Sequence, residues 1–407
     1  MFLEKKVPLE ARENYRYDSW SGMLGSVSIA FVGPFAAVIA REQLKASAFE
    51  IGLLTAAPVI GSLLSIFWAQ IMIGKRKLPF VVVPIVLCRI FLLLVILSYS
   101  SFSFVMFISL FFFVASVSGP AYSRVMKGIY PDSDRARIMS YVRQNVLIVI
   151  IIFTAFAGKL LQIVSYRYVF PIAGIIGMLA AYTFNKLKME ENVNEDNISG
   201  KKTNSLNYLI DTLKILKYDK AYRWFTIAMF VFGMGNFIAA PVFSIYQVDV
   251  LGVDTRWASY YTVITQIISL FLFPYWGSRI DKKSPIKTFS VCVLFWCLIP
   301  LNYYFSISPA TLIPSAVISG ALLPALELIF ISSVLHYAPT NKIVQYQAIF
   351  STALGIRGSI GPFIGAALLQ SNLLSMKGIF ILVTLIFLSS FFIFVYIIKR
   401  FEKNATL

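Results

Sequence analysis

Residues 275–284 read YWGSRIDKKS and lie between two long apolar runs. The stretch carries one acid, Asp281, and three bases at a point where a membrane-spanning chain should turn around. Lys and Arg at such a turn set the orientation of the flanking helices, whereas acidic residues contribute little. Orientation therefore accounts for the bases, and Asp281 needs a separate explanation.

The composition of the whole chain is that of a membrane protein. Of its 407 residues, 58% are hydrophobic and 36 are Phe, which excludes an ordinary soluble globule. Apolar stretches of about 20 residues, long enough to cross a hydrocarbon layer roughly 30 Å thick, recur along the chain. We predict twelve transmembrane spans, all of them helical because a backbone in lipid must satisfy its own hydrogen bonds. The predicted spans are 19–40, 51–73, 79–99, 101–123, 138–163, 168–187, 222–246, 257–276, 288–306, 310–335, 343–370 and 378–398.

The basic residues are distributed by membrane side. Most of the 36 Lys and Arg residues fall on the side that holds both termini, which predicts that both termini are cytoplasmic. The net charge of +17 therefore reflects membrane orientation and not nucleic-acid binding, which would need a single basic stripe. We expect a monomer surrounded by lipid in a prokaryotic plasma membrane.

A hydrophilic stretch divides the twelve spans into two sets of six. We predict an N-terminal six-helix bundle with a cytoplasmic tail over residues 1–187, a cytoplasmic linker over 188–220, and a C-terminal six-helix bundle with a cytoplasmic tail over 221–407. Within the linker, leucine and isoleucine recur at helical spacing from Leu206 to Leu216. This pattern predicts an amphipathic helix at the inner membrane surface.

The two halves carry traces of an internal repeat. One offset aligns Pro34 with Pro241 and Gly158 with Gly365, and the same offset aligns the apolar spans. Two pseudo-symmetric six-helix bundles of parallel orientation are therefore the predicted all-α membrane architecture.

The loop between the eighth and ninth spans resembles a known signature. Its sequence GSRIDKKSPIK contains Gly277, Asp281, Lys282, Lys283 and Lys287. These residues are similar to the glycine, aspartate and basic motif that the major facilitator superfamily carries in this loop and in the loop between helices two and three. The resemblance implies a twelve-helix secondary transporter.

The resemblance also implies a cytoplasmic gate formed by Gly277, Asp281, Lys282 and Lys283. Asp281 would accept hydrogen bonds from a helix N-terminus and a base while the inner side is closed. The alternative is a solvated acid in a turn, worth under about 1 kcal/mol. The first-half copy of the motif departs from the family pattern, because Gly74 stands where the acid is expected. The predicted gate is therefore asymmetric.

Charged residues inside spans are the candidate functional groups. Glu327, in LLPALELIF of the tenth span, is the acid that we place well inside the membrane. Such a group is costly unless it pairs, takes up a proton or faces water. Arg357 and Arg143 are its candidate partners. In the family, helices one, four, seven and ten line the central cavity, so the resemblance implies that Glu327 faces the substrate or a proton path. A structural ion pair is the alternative.

Further candidates are Arg89 in the third span and two uncharged polar residues, Asn236 and Gln266. Arg89 either has a structural role or contacts the substrate. Three arginines against one glutamate leave positive charge inside the bundle, which an anionic substrate would balance, although backbone carbonyls or snorkelling could also absorb it. Asn236 and Gln266 either line a substrate cavity or form interhelical hydrogen bonds.

No pattern for catalysis is present. The sequence has no phosphate-binding loop, and its sole histidine, His336, lacks neighbours at the spacing of a metal site or a catalytic triad. We expect no enzyme activity, cofactor or metal. The predicted function is secondary active transport of a small molecule by alternating access, with Glu327 as the proton carrier if transport is coupled. The alternatives are a facilitative uniporter, and a non-transporting receptor, scaffold or lipid-handling protein on the same fold.

Overall fold

The regular elements of the structure, a computed structural model, are helices throughout the part of the chain that it describes. That part comprises residues 3–63, 68, 71–72, 75–131, 134–189, 214–282, 284–339, 342–371 and 373–402. Residues 190–213 of the predicted linker, with most of its predicted amphipathic helix, lie outside the described residues. The end of that stretch, residues 214–218, is described and is helical.

Fifteen α-helices follow one another along these segments. The earlier ones are α1 (Leu9–Val32), α2 (Ala36–Glu42), α3 (Ala48–Leu63), α4 (Pro79–Leu94), α5 (Ser101–Ser116), α6 (Ser118–Ile129), α7 (Arg135–Ile163) and α8 (Tyr166–Phe184). The later ones are α9 (Lys220–Asp249), α10 (Thr255–Lys282), α11 (Pro285–Trp296), α12 (Leu298–Phe305), α13 (Ile313–Tyr337), α14 (Ile343–Gln370) and α15 (Met376–Ile397). Together they occupy the twelve predicted spans in order, because several spans consist of two consecutive helices.

Nine of the helical segments in the described part of the chain are long and apolar enough to cross a membrane. A tenth span results when α5 and α6, which meet at a bend of 40°, are counted as one. The remaining two predicted spans correspond to α3, which is short, and to α10, which carries several polar residues. The all-α membrane architecture predicted from the apolar runs is therefore confirmed.

The chain forms two units. The first consists of Met1–Lys201 and Val253–Val263, and the second of Lys202–Gly252 and Ile264–Leu407. In the first unit, α1 packs against α7 and α8, and α4 packs against α5 and α8. In the second, α9 packs against α14 and α15, and α11 packs against α13 and α15. The leading helix of each unit therefore contacts the last two helices of its own unit, as expected of a repeat.

The start of α1 differs from the prediction. The first span was expected to begin at residue 19, whereas α1 begins at Leu9. Asn14, Tyr15 and Asp18 are buried by neighbouring helices of the first unit, while Glu13 faces outward. The residues predicted as a charged tail therefore extend the first helix, because their polar side chains find partners inside the protein.

Candidate functional site

A cavity of about 440 Å³ lies inside the first unit. Side chains from α1, α4, α6, α7 and α8 line it. Its polar lining residues are Asp18, Ser21, Ser26, Arg89, Ser118, Tyr122 and Arg143. The volume falls in the range of small-molecule pockets, roughly 300–1,000 Å³. Two predicted site residues, Arg89 and Arg143, thus meet at one cavity.

Asp18 is the carboxylate of this cavity. It lies on α1, about 13 Å along the helix from Leu9 at the usual rise per residue, and only 1% of its surface is exposed. The hydroxyl of Tyr130 donates to its Oδ2 at 2.8 Å, and the hydroxyl of Tyr122 donates to its Oδ1 at 3.2 Å. Two phenols from the α6 region therefore hold this buried acid.

Sequence reasoning missed Asp18 because charged neighbours made residues 1–18 resemble a tail. The signal was present, however. The residues of α1 that are buried before the predicted span are Ala11, Asn14, Tyr15 and Asp18, which repeat at the three- and four-residue spacing of one helix face. That spacing extends the apolar stripe of the first span backward and places Asp18 on its inward side.

Arg89 lies on α4 with 6% of its surface exposed. Its Nη1 donates to the carbonyl of Ile85 at 2.9 Å and to the sulfur of Cys88 at 3.1 Å, and its Nη2 donates to the carbonyl of Gly25 at 3.2 Å. A Cβ on Gly177 of α8 would overlap the Arg89 side chain. The absence of a side chain at Gly177 thus gives the arginine room beside the cavity.

Arg143 reaches the same cavity from α7, and its side chain is exposed. Two residues further along α7, the amide of Asn145 donates to the hydroxyls of Tyr15 and Ser19, at 2.9 and 3.2 Å. This buried polar contact fixes α7 against α1. It holds the helix that carries Arg143 in register with the helix that carries Asp18.

Arg357, the third intramembrane arginine, belongs to α14 in the second unit. It is 2% exposed, and its Nη1 donates to the carbonyl of Met229 on α9. A Cβ on Gly233 of α9 would overlap its guanidinium. Arg357 therefore occupies a space between two packed helices, as a residue that joins them would.

The other predicted candidates of the second unit are dispersed. Glu327 lies on α13, and its side chain is exposed. Asn236 of α9 is half-buried and accepts a hydrogen bond from the indole N–H of Trp296 at 3.0 Å. Gln266 of α10 is half-buried. Asn236 therefore has the interhelical hydrogen bond that was the structural alternative for it.

The predicted gate residues lie where α10 ends. Gly277 is in α10, and a Cβ there would meet nothing within 4 Å. Asp281 and Lys282 are in the last turn of α10, just before Ser284, the N-cap residue of α11. Lys283 lies outside the described residues. Asp281 thus lies three residues before the N-cap of the next helix. The role of these residues as a cytoplasmic gate stays a prediction.

The cavity of the first unit brings together several kinds of polar group. Its walls combine a carboxylate, two guanidiniums and several hydroxyls with apolar side chains. Among the described residues, no group of His, Cys, Asp or Glu is arranged to hold a metal ion. The chemistry that these side chains can perform is recognition of a polar small molecule and transfer of a proton at Asp18.

Comparison with known proteins identifies the family. Residues 19–362 match the sequence model of the Major Facilitator Superfamily. No curated protein is significantly similar in sequence.

Solved structures share the fold. A POT family transporter in complex with 5-aminolevulinic acid has a TM-score of 0.74 at 14% identity, covering 98% of this chain and 99% of that one. The nucleoside transporter NupG has a TM-score of 0.73 at 11% identity, with 94% and 99% covered. A D-xylose–proton symporter has a TM-score of 0.70 at 12% identity, with 94% and 96% covered.

At sequence identities this low, the structural similarity shows a common fold and nothing more. The family is shown by the sequence model, which matches most of the chain. The resemblance inferred from the loop motif around Asp281 is therefore confirmed. The chain belongs to the Major Facilitator Superfamily, and it is a membrane transporter rather than an enzyme.

Proposed function

We propose that this protein is a secondary active transporter of a small molecule, coupled to protons through Asp18 and working by alternating access. The observation that carries the proposal is a buried carboxylate at the wall of a cavity that also holds two arginines. In this proposal the cavity of the first unit binds the substrate, and movement of the two units exposes it to one side of the membrane at a time.

The coupling follows from the hydrogen bonds of Asp18. As a carboxylate, it accepts from Tyr122 and Tyr130 and contributes one negative charge to the cavity wall. Uptake of a proton removes that charge and occupies one of the two oxygens. The affinity of the cavity for a charged or polar substrate then depends on the proton, and by linkage the affinity for the proton depends on the substrate.

Glu327 is the second candidate for the proton carrier. It lies in Pro309–Phe330, a segment apolar enough to cross a membrane, where a charge is costly unless it pairs, takes up a proton or contacts water. Its side chain is exposed on α13, whereas Asp18 is buried at a cavity with basic residues. We therefore assign the coupling to Asp18 and treat Glu327 as the alternative carrier, or as a structural acid.

The test is pH-dependent uptake into proteoliposomes. The purified chain is reconstituted and supplied with a panel of radiolabelled anionic, neutral and amphipathic compounds, with and without an inward proton gradient. For each compound taken up, the parent is compared with Asp18→Asn, Glu327→Gln and the control Asp219→Asn. Asp219 matches Asp18 in that a tyrosine hydroxyl, that of Tyr346, donates to it at 2.8 Å, but it lies at the start of α9 in the second unit.

We expect Asp18→Asn to lose gradient-driven accumulation and to keep downhill exchange, while Asp219→Asn and Glu327→Gln keep both. If Glu327→Gln alone loses accumulation, the carrier is Glu327 and our assignment is wrong. If both variants keep accumulation, neither acid is the carrier and our assignment is wrong. If the parent itself shows downhill exchange but no gradient-driven accumulation, the protein is a uniporter. If none of the compounds moves in the parent, the result contradicts the proposal and favours a receptor, scaffold or lipid-handling role.

The remaining features of the proposal concern the gate and the membrane. Asp281 acts as a latch on the cytoplasmic side, favoured by its place before the N-cap of α11. The basic bias supports a plasma membrane orientation with both termini cytoplasmic, and the protein functions as a monomer in lipid. Labelling of single cysteines placed at Lys6 and Lys399 by a membrane-impermeant thiol reagent, before and after permeabilisation of cells, tests this orientation.

A further inference from the structure

We propose that the cavity of the first unit selects a small organic acid that carries one negative charge, with Arg89 as its anchoring base. This inference rests on the proposed function, because it names the substrate class for the cavity assigned there. Two guanidiniums, those of Arg89 and Arg143, line the cavity together with one carboxylate, that of Asp18. While Asp18 is ionised, the titratable side chains of the lining therefore carry one net positive charge, which a monoanion neutralises.

The excess positive charge is assigned to Arg89, because the groups that surround this arginine are neutral. Its hydrogen-bond partners are the carbonyls of Ile85 and Gly25 and the sulfur of Cys88, all of them neutral. Its Nε is buried and has no hydrogen-bond partner among the described residues. A buried charge is costly unless it is paired and hydrogen-bonded. The carbonyls supply hydrogen bonds but no negative charge. An anion in the adjoining cavity would provide the negative charge that balances Arg89.

The side chain of Arg89 is already held in place. Gly25 of α1 and Gly177 of α8 lie on two sides of the arginine, and a Cβ on Gly177 would overlap it. The bonds to Ile85 and Gly25 fix the guanidinium before a ligand arrives. Binding therefore costs little side-chain entropy, which favours affinity for an anion of small size.

The remaining lining residues indicate the chemical nature of the uncharged part of the ligand. Ile29, Ile85, Val142, Val146 and Phe184 give the cavity an apolar wall. An apolar wall with one excess positive charge suits an amphipathic acid with a compact hydrocarbon or aromatic part. Asp18 acts against a second negative charge on the ligand, because like charges at short range repel.

The experiment compares four aryl probes of similar shape that differ in charge. Benzoate carries one negative charge, benzamide none, benzamidine one positive charge and phenyl phosphate close to two negative charges at neutral pH. Binding to the full chain in detergent is measured as the rise of the thermal unfolding midpoint with probe concentration. We expect benzoate to bind about tenfold more tightly than benzamide, because hydrogen bonds to charged groups are the stronger ones.

Two variants at the cavity test the assignment, and a third serves as a control. Arg89→Gln should lose the preference for benzoate over benzamide, and Arg89→Lys should keep part of it. Arg357→Gln removes a buried arginine of the second unit that does not line the cavity, and should leave the preference unchanged. If Arg89→Gln fails to fold, Asp18→Asn provides the test, because removal of the acid should raise the affinity for phenyl phosphate more than that for benzoate.

Several outcomes would overturn the inference. These are tighter binding of benzamide or benzamidine than of benzoate, an undiminished benzoate preference in Arg89→Gln, and the absence of a midpoint shift with every probe. The proposed transport function would survive all three, because uptake of a neutral or cationic compound that depends on Asp18 would still demonstrate it. Conversely, a protein that binds benzoate selectively but accumulates nothing would retain the anion site and contradict proton-coupled transport.

Discussion

Among the described residues, each unit buries one arginine against a glycine of its leading helix, but the surroundings of the two arginines differ. In the first unit, Arg89 lies beside Gly25 of α1 at the edge of a cavity. In the second, Arg357 lies against Gly233 of α9 and donates to the carbonyl of Met229. A buried arginine in a repeat is therefore not by itself a functional residue; the space next to it decides its role.

The packing around the leading helices explains this difference. The face of α9 is covered by aromatic rings, since the ring of Phe232 lies 5.4 Å from that of Phe289, 5.7 Å from that of Trp296 and 5.3 Å from that of Phe387. Along α1, by contrast, Gly22 and Gly25 line the cavity. The glycines of α9 are closely packed, whereas Gly22 and Gly25 of α1 border a space that a ligand can enter.

The largest expected effect is a difference in stability between alanine substitutions at the two glycines, Gly233 and Gly25. Gly233→Ala places a methyl group on the guanidinium of Arg357, and we expect a loss of about 3 kcal/mol in the free energy of unfolding, the upper range for overpacking. Gly25→Ala brings a Cβ to 3.1 Å from Nη2 of Arg89 and 3.6 Å from Cβ of Ala180. Its cost should stay within about 1 kcal/mol of zero, because alanine also favours the helix. Equilibrium unfolding in mixed micelles measures both, and equal losses would refute the distinction.

A second comparison uses the tyrosine that donates to an acid in each unit. Tyr130→Phe removes a hydrogen bond of 2.8 Å to the buried Asp18, and we expect a loss of about 2 kcal/mol, typical of a bond to a charged group. Tyr346→Phe removes a bond of the same length to Asp219, which is half-buried and also accepts from the N–H of Tyr222. Its cost should be about 1 kcal/mol.

Uptake separates these two tyrosines further. Tyr130→Phe should shift the pH dependence of accumulation, because the Asp18 carboxylate loses one of its two phenol donors and with it part of what favours its charged form. Tyr346→Phe should leave that dependence unchanged. A shift of the same size in both variants would show that the phenol at Asp18 has no special part in coupling.

Much of this architecture could be predicted from the sequence. Apolar run length, the basic bias and the loop motif are local or periodic signals, and they predicted the helices and the family. Arg89 and Arg143, which both line the cavity, could be singled out for the same reason, since a base inside an apolar run stands out. Asp18 was missed because flanking charges, among them Glu13, hid the burial of one helix face.

The surroundings of each side chain could not be predicted in the same way. Whether Glu327 faces a cavity depends on the rotation of α13 about its axis, which no single run of residues specifies. The bonds of Tyr130 to Asp18, and of Trp296 to Asn236, join residues far apart in the chain. Such contacts arise only when the helices pack, so the sequence offered alternatives between which it could not choose.

A smaller effect tests whether Asn236 is structural. Trp296→Phe removes the indole N–H that donates to Asn236 at 3.0 Å but keeps a ring next to Phe232. We expect a loss of about 1 kcal/mol in stability, the typical value for one hydrogen bond, with uptake and probe affinity unchanged. A changed affinity with unchanged stability would instead give the second unit a part in the binding site and weaken the contrast between the units.

The smallest expected effect concerns the residues at the start of the leading helix of each unit. In the first unit, Arg16 of α1 donates to Glu4 at 2.6 Å, and this hydrogen bond holds the pKa of Glu4 below its ordinary value of 4.5. The contribution of the pair to stability is therefore complete above the ordinary pKa, and it is lost as the pH falls through the lowered one. Asp219, the acid that precedes α9 in the second unit, accepts from a neutral hydroxyl and a backbone N–H. Glu4→Gln should lower the unfolding midpoint slightly at neutral pH and not at all at acid pH, and added salt should diminish the difference because the pair is exposed. The effect of Asp219→Asn should be insensitive to salt. A Glu4→Gln deficit that grows as the pH falls would mean that the pair does not stabilise the first unit.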